Sequence, residues 1–109
     1  MHEAPEVVSR YFELDARRDV EAIVGLFSDD ATVVDERETH RGMAAIRAWR
    51  LGPASKYRYE TEIFTGEALD ADRFLVTGRI TGNFPGGTAD LRWDFTLAGV
   101  RISRLVIAP

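Results

Sequence analysis

Asp35 closes the run Ala31-Thr32-Val33-Val34-Asp35, and a carboxylate at the end of an apolar, β-branched strand is a candidate general base. Side chains alternate along a strand, so Asp35 shares a face with Val33 and points into the interior if Val33 does. The competing reading is a polar strand end neutralised by Arg37 or Arg41. Tyr11 recurs with Val7, Val8 and Phe12 at helical spacing. A phenol there either fills the core with its hydroxyl satisfied by a neighbour, or donates a hydrogen bond where negative charge develops on a reacting oxygen. His40 is near Asp35, Glu36 and Glu38 in sequence. A metal site needs several ligands in defined geometry, and one histidine in a charged loop reads better as solvated or as a partner at a helix entry. No metal and no cofactor are therefore expected. Asn83-Phe84-Pro85-Gly86-Gly87 lacks the lysine and following helix of a phosphate loop, whereas Pro then Gly suits the centre of a type II turn.

These groups need elements to hold them. Pro5 costs nothing in a first helical turn, so residues 5–17 read as a helix. Asp19 offers a carboxylate to the free N–H groups ahead of Val20, Ile23, Val24 and Phe27, which predicts a second, short helix. Ser28-Asp29-Asp30 is turn chemistry before a strand over 31–35, and the polar run 36–42 separates that strand from a third helix carrying Met43, Ile46 and Trp49. Leu51-Gly52-Pro53 ends it, because proline disfavours helical geometry in the residue before it. From there the period turns to alternation, with strands near 57–66, 72–83, 88–98 and 100–107 forming an antiparallel meander. Helices first and long strands afterwards predict a single α+β domain, residues 1–109, with one sheet face packed on the helices.

Composition removes several classes of chemistry. The 109 residues include no cysteine, which excludes thiolate nucleophiles, thiolate metal sites and disulfides. The net charge of −4, with arginines scattered along the chain, leaves no basic stripe for a phosphate backbone, so no nucleic-acid partner is expected. No segment approaches the run of roughly 18 apolar residues that a membrane span requires. Met1-His2-Glu3-Ala4-Pro5-Glu6 has neither the basic start nor the apolar stretch of a secretory signal, and a cytoplasmic location is the expectation.

Leu26-Phe27-Ser28-Asp29-Asp30-Ala31-Thr32-Val33-Val34-Asp35, followed by Arg41-Gly42-Met43-Ala44-Ala45-Ile46-Arg47, resembles the signature of nuclear transport factor 2-like, SnoaL-like proteins, among which are the ketosteroid isomerases. The likeness begins at Arg10-Tyr11-Phe12-Glu13-Leu14 and weakens across the later strands. It implies a cone of three N-terminal helices against a curved antiparallel sheet, enclosing a pocket for a small apolar molecule, and a homodimer paired through the sheet. It implies that Asp35 is the base moving a proton between carbons flanking a carbonyl, and that Tyr11 donates to the developing oxyanion. Phe27, Val33, Trp49, Trp93 and Phe95 are the expected pocket walls. The isomerases add a protonated acid on a later strand, a case known for its carboxyl held neutral by apolar surroundings. Here Trp93 falls at that position and Asp94 one residue later, where alternation turns it to the other face. A tryptophan there implies a smaller pocket than a steroid needs. The same fold also hosts hydrolases, cyclases and non-catalytic binders, in which Asp35 activates water or is merely paired.

Overall fold

The computed structural model describes residues 4–109, so Met1, His2 and Glu3 of the N-terminal stretch read above lie outside the described residues. Helix α1 (Glu6–Arg17) starts after Pro5 and ends where Arg18 turns left-handed at φ 55°, its N–H reaching back to the carbonyls of Leu14 and Asp15. Asp19 caps α2 (Val20–Val24) by accepting the Ala22 N–H at 3.2 Å, the role its carboxylate suggested.

Strand β1 (Phe27–Asp35) begins four residues earlier than expected. Phe27 already pairs with Ile102, and the register then slips before Thr32. The Ser28-Asp29-Asp30 turn chemistry is thus absorbed as an irregularity inside a strand. The polar run that follows is also a strand, β2 (Glu38–Arg41), folded back on β1 through Glu36 and Arg37. It escapes a pattern search because it pairs on one side only and has no apolar face to advertise. Helix α3 (Met43–Leu51) follows, and a 3-10 turn at Pro53–Ser55 leads to β3 (Tyr59–Asp70), β4 (Arg73–Gly82), β5 (Thr88–Ala98) and β6 (Arg101–Ala108).

The six strands form one sheet in the order β2-β1-β6-β5-β4-β3. The expectation of an antiparallel sheet needs one correction. β6 lies parallel to β1, with Val33 beside Leu105 and Asp35 beside Ile107, while every other pair is antiparallel. The meander returns to β1 in the direction in which β1 itself runs, so the C-terminal ends of both strands meet at one end of the sheet. The sheet is curved. Opposite the bulge between Ile63 and Thr65, Gly78 leaves space where a Cβ would collide with the Glu62 carbonyl.

The core lies between the helices and the inner sheet face. Val8, Tyr11 and Leu14 of α1, Ile23 of α2 and Ile46 and Trp49 of α3 meet Val33, Val76, Phe95 and Leu105 of the sheet. Burying each such side chain is worth about 1.5–3 kcal/mol, which is why helices this short persist only against the sheet. No helix among the described residues is long and apolar enough to cross a membrane.

Candidate functional site

A cavity of about 680 Å³ opens where β1 and β6 end. This is within the usual range for small-molecule pockets. Its walls include Tyr11 on α1, Asp35 at the end of β1, Trp49 and Arg50 on α3, Tyr59 on β3, Ile80 on β4, Leu91 and Trp93 on β5, and Ile107 on β6. Phe84 and Pro85 stand at the rim. They belong to the expected type II turn, with Gly86 at φ 91° and the Gly87 N–H donating to the Phe84 carbonyl at 3.0 Å.

Four of the residues expected to build the site therefore line one cavity: Asp35, Tyr11, Trp49 and Trp93. Phe27, Val33 and Phe95 do not. They are fully buried in the core between sheet and helices, where their side chains have no open space to face. Trp93 is inward and forms part of the wall, with its ring edge-on to Phe12 at 5.3 Å, and the cavity remains open beside it. Asp94 points to the opposite face, where its Oδ2 accepts from Arg73 at 2.7 Å. Tyr57 also lines the cavity, while Phe64 lies half-exposed beneath Arg79. His40 is outside the lining, its ring 6.1 Å from that of Trp49. Among the described residues no three His, Cys, Asp or Glu side chains gather into a metal-binding group.

The Asp35 carboxylate is held by tryptophan instead of arginine. The Trp49 Nε1–H donates to Asp35 Oδ2 at 3.0 Å, and neither Arg37 nor Arg41 forms an ion pair with it. Asp35 Oδ1 has no hydrogen-bond partner among the described residues and is not sealed from solvent. One carboxylate oxygen is thus anchored and the other is free toward the cavity.

A second polar group was not anticipated. Asp15 on α1 is buried, and its Oδ1 accepts from Arg50 Nη2 at 2.8 Å and from the Tyr59 hydroxyl at 2.9 Å. Arg50 is 2% exposed, with its guanidinium 5.2 Å from the Trp49 ring centre and its Nε–H without a partner. The sequence signal was present: Asp15 falls four residues after Tyr11 and Arg50 four after Ile46, so each helix carries one charge, of opposite sign, on its apolar face.

This group sets the protonation of its surroundings. Burial first, then the negative charge of Asp15, pushes the Tyr11 phenol well above its ordinary range, with the Arg50 charge pulling the other way and Asp35 adding a smaller push upward. Tyr59 is raised for the same leading reasons. Burial works against the Arg50 cation, but the charge of Asp15 and its hydrogen bond offset that cost, and the guanidinium stays charged. Tyr11 and Tyr59 are consequently neutral donors at physiological pH. The Tyr11 hydroxyl, unlike that of Tyr59, makes no hydrogen bond among the described residues.

Residues 8–104 match the model of the SnoaL-like domain. Among solved structures, a candidate polyketide cyclase from Sinorhizobium meliloti is 34% identical, with a TM-score of 0.89 over 97% of this chain and 96% of the other. SalBIII, an epoxide hydrolase/cyclase-like enzyme with a role in pyran ring formation in the polyether salinomycin, is 22% identical, with a TM-score of 0.80 over 94% of this chain and 86% of its own. A Catenulispora acidiphila protein with a ketosteroid isomerase-like fold, in complex with trimethylamine, is 18% identical, with a TM-score of 0.84 over 97% of this chain and 86% of its own. The last two likenesses concern fold alone. No curated protein matches the chain.

Proposed function

Because the chain belongs to the SnoaL-like domain family, in which a pocket at the open end of the fold is put to several uses, we propose that this one is an acid–base enzyme acting next to a carbonyl of a small, largely apolar molecule. The observation that carries this reading is the paired availability of Asp35 Oδ1 and the Tyr11 hydroxyl on residues lining one cavity, each without a hydrogen-bond partner among the described residues.

In the proposed step Asp35 takes a proton from the carbon beside the carbonyl, and the C–H electron pair moves into the carbonyl, leaving negative charge on oxygen. Tyr11 donates a hydrogen bond to that oxygen. Its raised pKa keeps the proton on the phenol, so the charge is stabilised by donation without passing to the enzyme. The enolate then has two fates. Return of the proton from Asp35 to a conjugated carbon gives an isomer and restores the carboxylate. Attack of the enolate carbon on a second carbonyl of the same molecule closes a ring: the C=O electron pair passes to its oxygen, which takes the proton from Asp35 and restores the carboxylate, a fate supported by the 34% identity to a candidate polyketide cyclase.

Both fates share the first step, so the test addresses that step. The wild type and Asp35→Asn are incubated with a β,γ-unsaturated ketosteroid and with smaller β,γ-unsaturated ketones, following conjugation by absorbance and deuterium uptake from D2O by NMR. The wild type is expected to exchange, and the variant to lose about 10²- to 10⁴-fold, the usual contribution of a positioned base. Exchange that is equal in both proteins removes Asp35 from the chemistry. Exchange in neither, for any ketone, favours a non-catalytic binding domain.

A further inference from the structure

Trp49 makes the only hydrogen bond to the Asp35 side chain among the described residues, so the orientation of its indole sets the direction of the carboxylate. A single bond of this kind contributes little by itself, because folding exchanges it for bonds to water. The ring is steadied by what lies against it. One such neighbour is the Arg50 guanidinium, 5.2 Å from the ring centre and itself fixed by Asp15. The other polar neighbour is His40. Its ring centre is 6.1 Å from that of Trp49 with the planes 34° apart, inside the range of roughly 4.5–7 Å over which aromatic rings attract.

His40 reaches this place through the register of the β1–β2 hairpin, which sets it opposite Val33. Residues directly opposite in an antiparallel pair share a face, so His40 is on the inner face with Val33 and Asp35. It is the one residue of β2 that is not exposed, whereas Glu38, Thr39 and Arg41 are. Gly42, at φ 88°, then turns the chain, and its carbonyl accepts the Ile46 N–H at 3.0 Å as α3 begins. The chain thus runs from His40 through Arg41 and this glycine into the helix that carries Trp49. An imidazole suits the position, because it can lay an apolar ring against the indole while its polar edge stays in water.

We propose that His40 is a positioning residue, whose ring holds the Trp49 indole so that the Nε1–H stays on Asp35 Oδ2 and leaves Oδ1 directed at the cavity. The inference rests on Asp35 being the base proposed above. His40 is outside the cavity lining, so it touches neither ligand nor reacting atoms, and its effect passes through Trp49. A residue of this kind acts on the rate of proton transfer and leaves ligand binding alone.

The two tryptophans give two indole N–H signals in a nitrogen–proton NMR correlation spectrum, and the one absent from Trp49→Phe belongs to Trp49. In His40→Ala that N–H is expected to exchange with solvent deuterium at least about threefold faster than in the wild type, and in His40→Phe, which returns a ring, within about twofold of it. In the ketone exchange assay His40→Ala is expected to lower kcat about threefold to tenfold at unchanged KM, with His40→Phe recovering it. In a Trp49→Phe background the same His40→Ala substitution should change kcat by less than about 1.5-fold, because the residue through which His40 acts is gone. Should His40→Ala fail to show a cooperative melt, His40→Leu, which keeps apolar bulk without a ring, takes its place with the same expectations. Equal protection of the Trp49 indole N–H with and without the His40 ring overturns the proposal. So does a loss of kcat that persists at full size in the Trp49→Phe background, or a loss of activity that appears as a rise in KM. Normal proton exchange by Asp35→Asn removes the base instead, and the protection of the Trp49 indole then decides by itself whether His40 holds that ring.

Discussion

The Trp49 indole donates to Asp35 Oδ2 at 3.0 Å, tying the last turn of α3 to the last residue of β1. The next residue, Arg50, pairs with Asp15 on α1 at 2.8 Å. Successive helical side chains diverge by about 100°, so two neighbours on one short helix fix two carboxylates on two other elements. Helix α3 is thus the part that positions the site, and its displacement would disturb Asp35 and the buried Asp15–Arg50 pair together.

Replacing Trp49 with Phe keeps most of the ring volume and removes the donor. Asp35 is then free to rotate away from its productive direction, and the rate of proton exchange should fall about tenfold with KM nearly unchanged. The melting temperature should drop by only a few degrees, since a hydrogen bond of this kind contributes about 1 kcal/mol. A large rise in KM with kcat preserved would show that Trp49 binds ligand and does not orient the carboxylate.

Asp15→Ala leaves the Arg50 cation buried without its counter-charge. The expected loss is about 3–5 kcal/mol, read as the midpoint of urea unfolding. Asp15→Leu combined with Arg50→Met removes both charges and should recover most of that loss, because an apolar pair needs no desolvation. A single variant as stable as the wild type would mean that the pair is hydrated in solution.

Alkali should unfold the protein through its tyrosines. Tyr11 and Tyr59 are both raised in the folded state, by burial first and then by Asp15. In the unfolded chain a phenol loses its proton near pH 10, so above that pH the unfolded state binds fewer protons than the native one and stability falls as pH rises. Their contribution is complete below about pH 10 and declines above it. Phenolate absorbance from these two residues should appear together with loss of near-UV circular dichroism. Their ionisation in a protein that keeps its native spectrum would contradict the burial.

The hairpin between β1 and β2 turns on Glu36 and Arg37, both with positive φ, 52° and 66°, where side chains are strained and Asn-Gly is favoured. Glu36→Asn with Arg37→Gly should stabilise the fold by about 1–2 kcal/mol, measured by urea unfolding. Both residues also line the cavity beside Asp35, so a simultaneous loss of ligand affinity would identify the strain as retained for function. Unchanged stability would show that the strain is relieved elsewhere.

Several features were legible because they depend on local chemistry. Pro5, Asp19 and Gly52-Pro53 bound the helices, the Pro85-Gly86 turn has its expected form, and strand parity alone placed Trp93 inward and Asp94 outward. Strand β2 was missed because an edge strand leaves no periodic trace, and the early start of β1 was missed because Ser28-Asp29-Asp30 resembles a turn wherever it occurs. Phe27, Val33 and Phe95, apolar and inward, were expected at the pocket from the family resemblance. Being inward does not separate core from cavity wall, and that distinction depends on which elements lie opposite.

The sequence by itself determined the α+β order and the absence of cysteine from these 109 residues, and it singled out Asp35 and Tyr11 as residue types suited to proton transfer. Tertiary structure alone decided that β6 returns parallel to β1, that Trp49 rather than an arginine holds Asp35, and that Asp15, Arg50 and Tyr59 meet across 44 residues of chain. Periodicity reports which face of an element is buried, since each residue feels the same average interior. It cannot report partners, because a hydrogen bond between distant side chains is set by the relative placement of whole elements, and that placement exists only once they have packed.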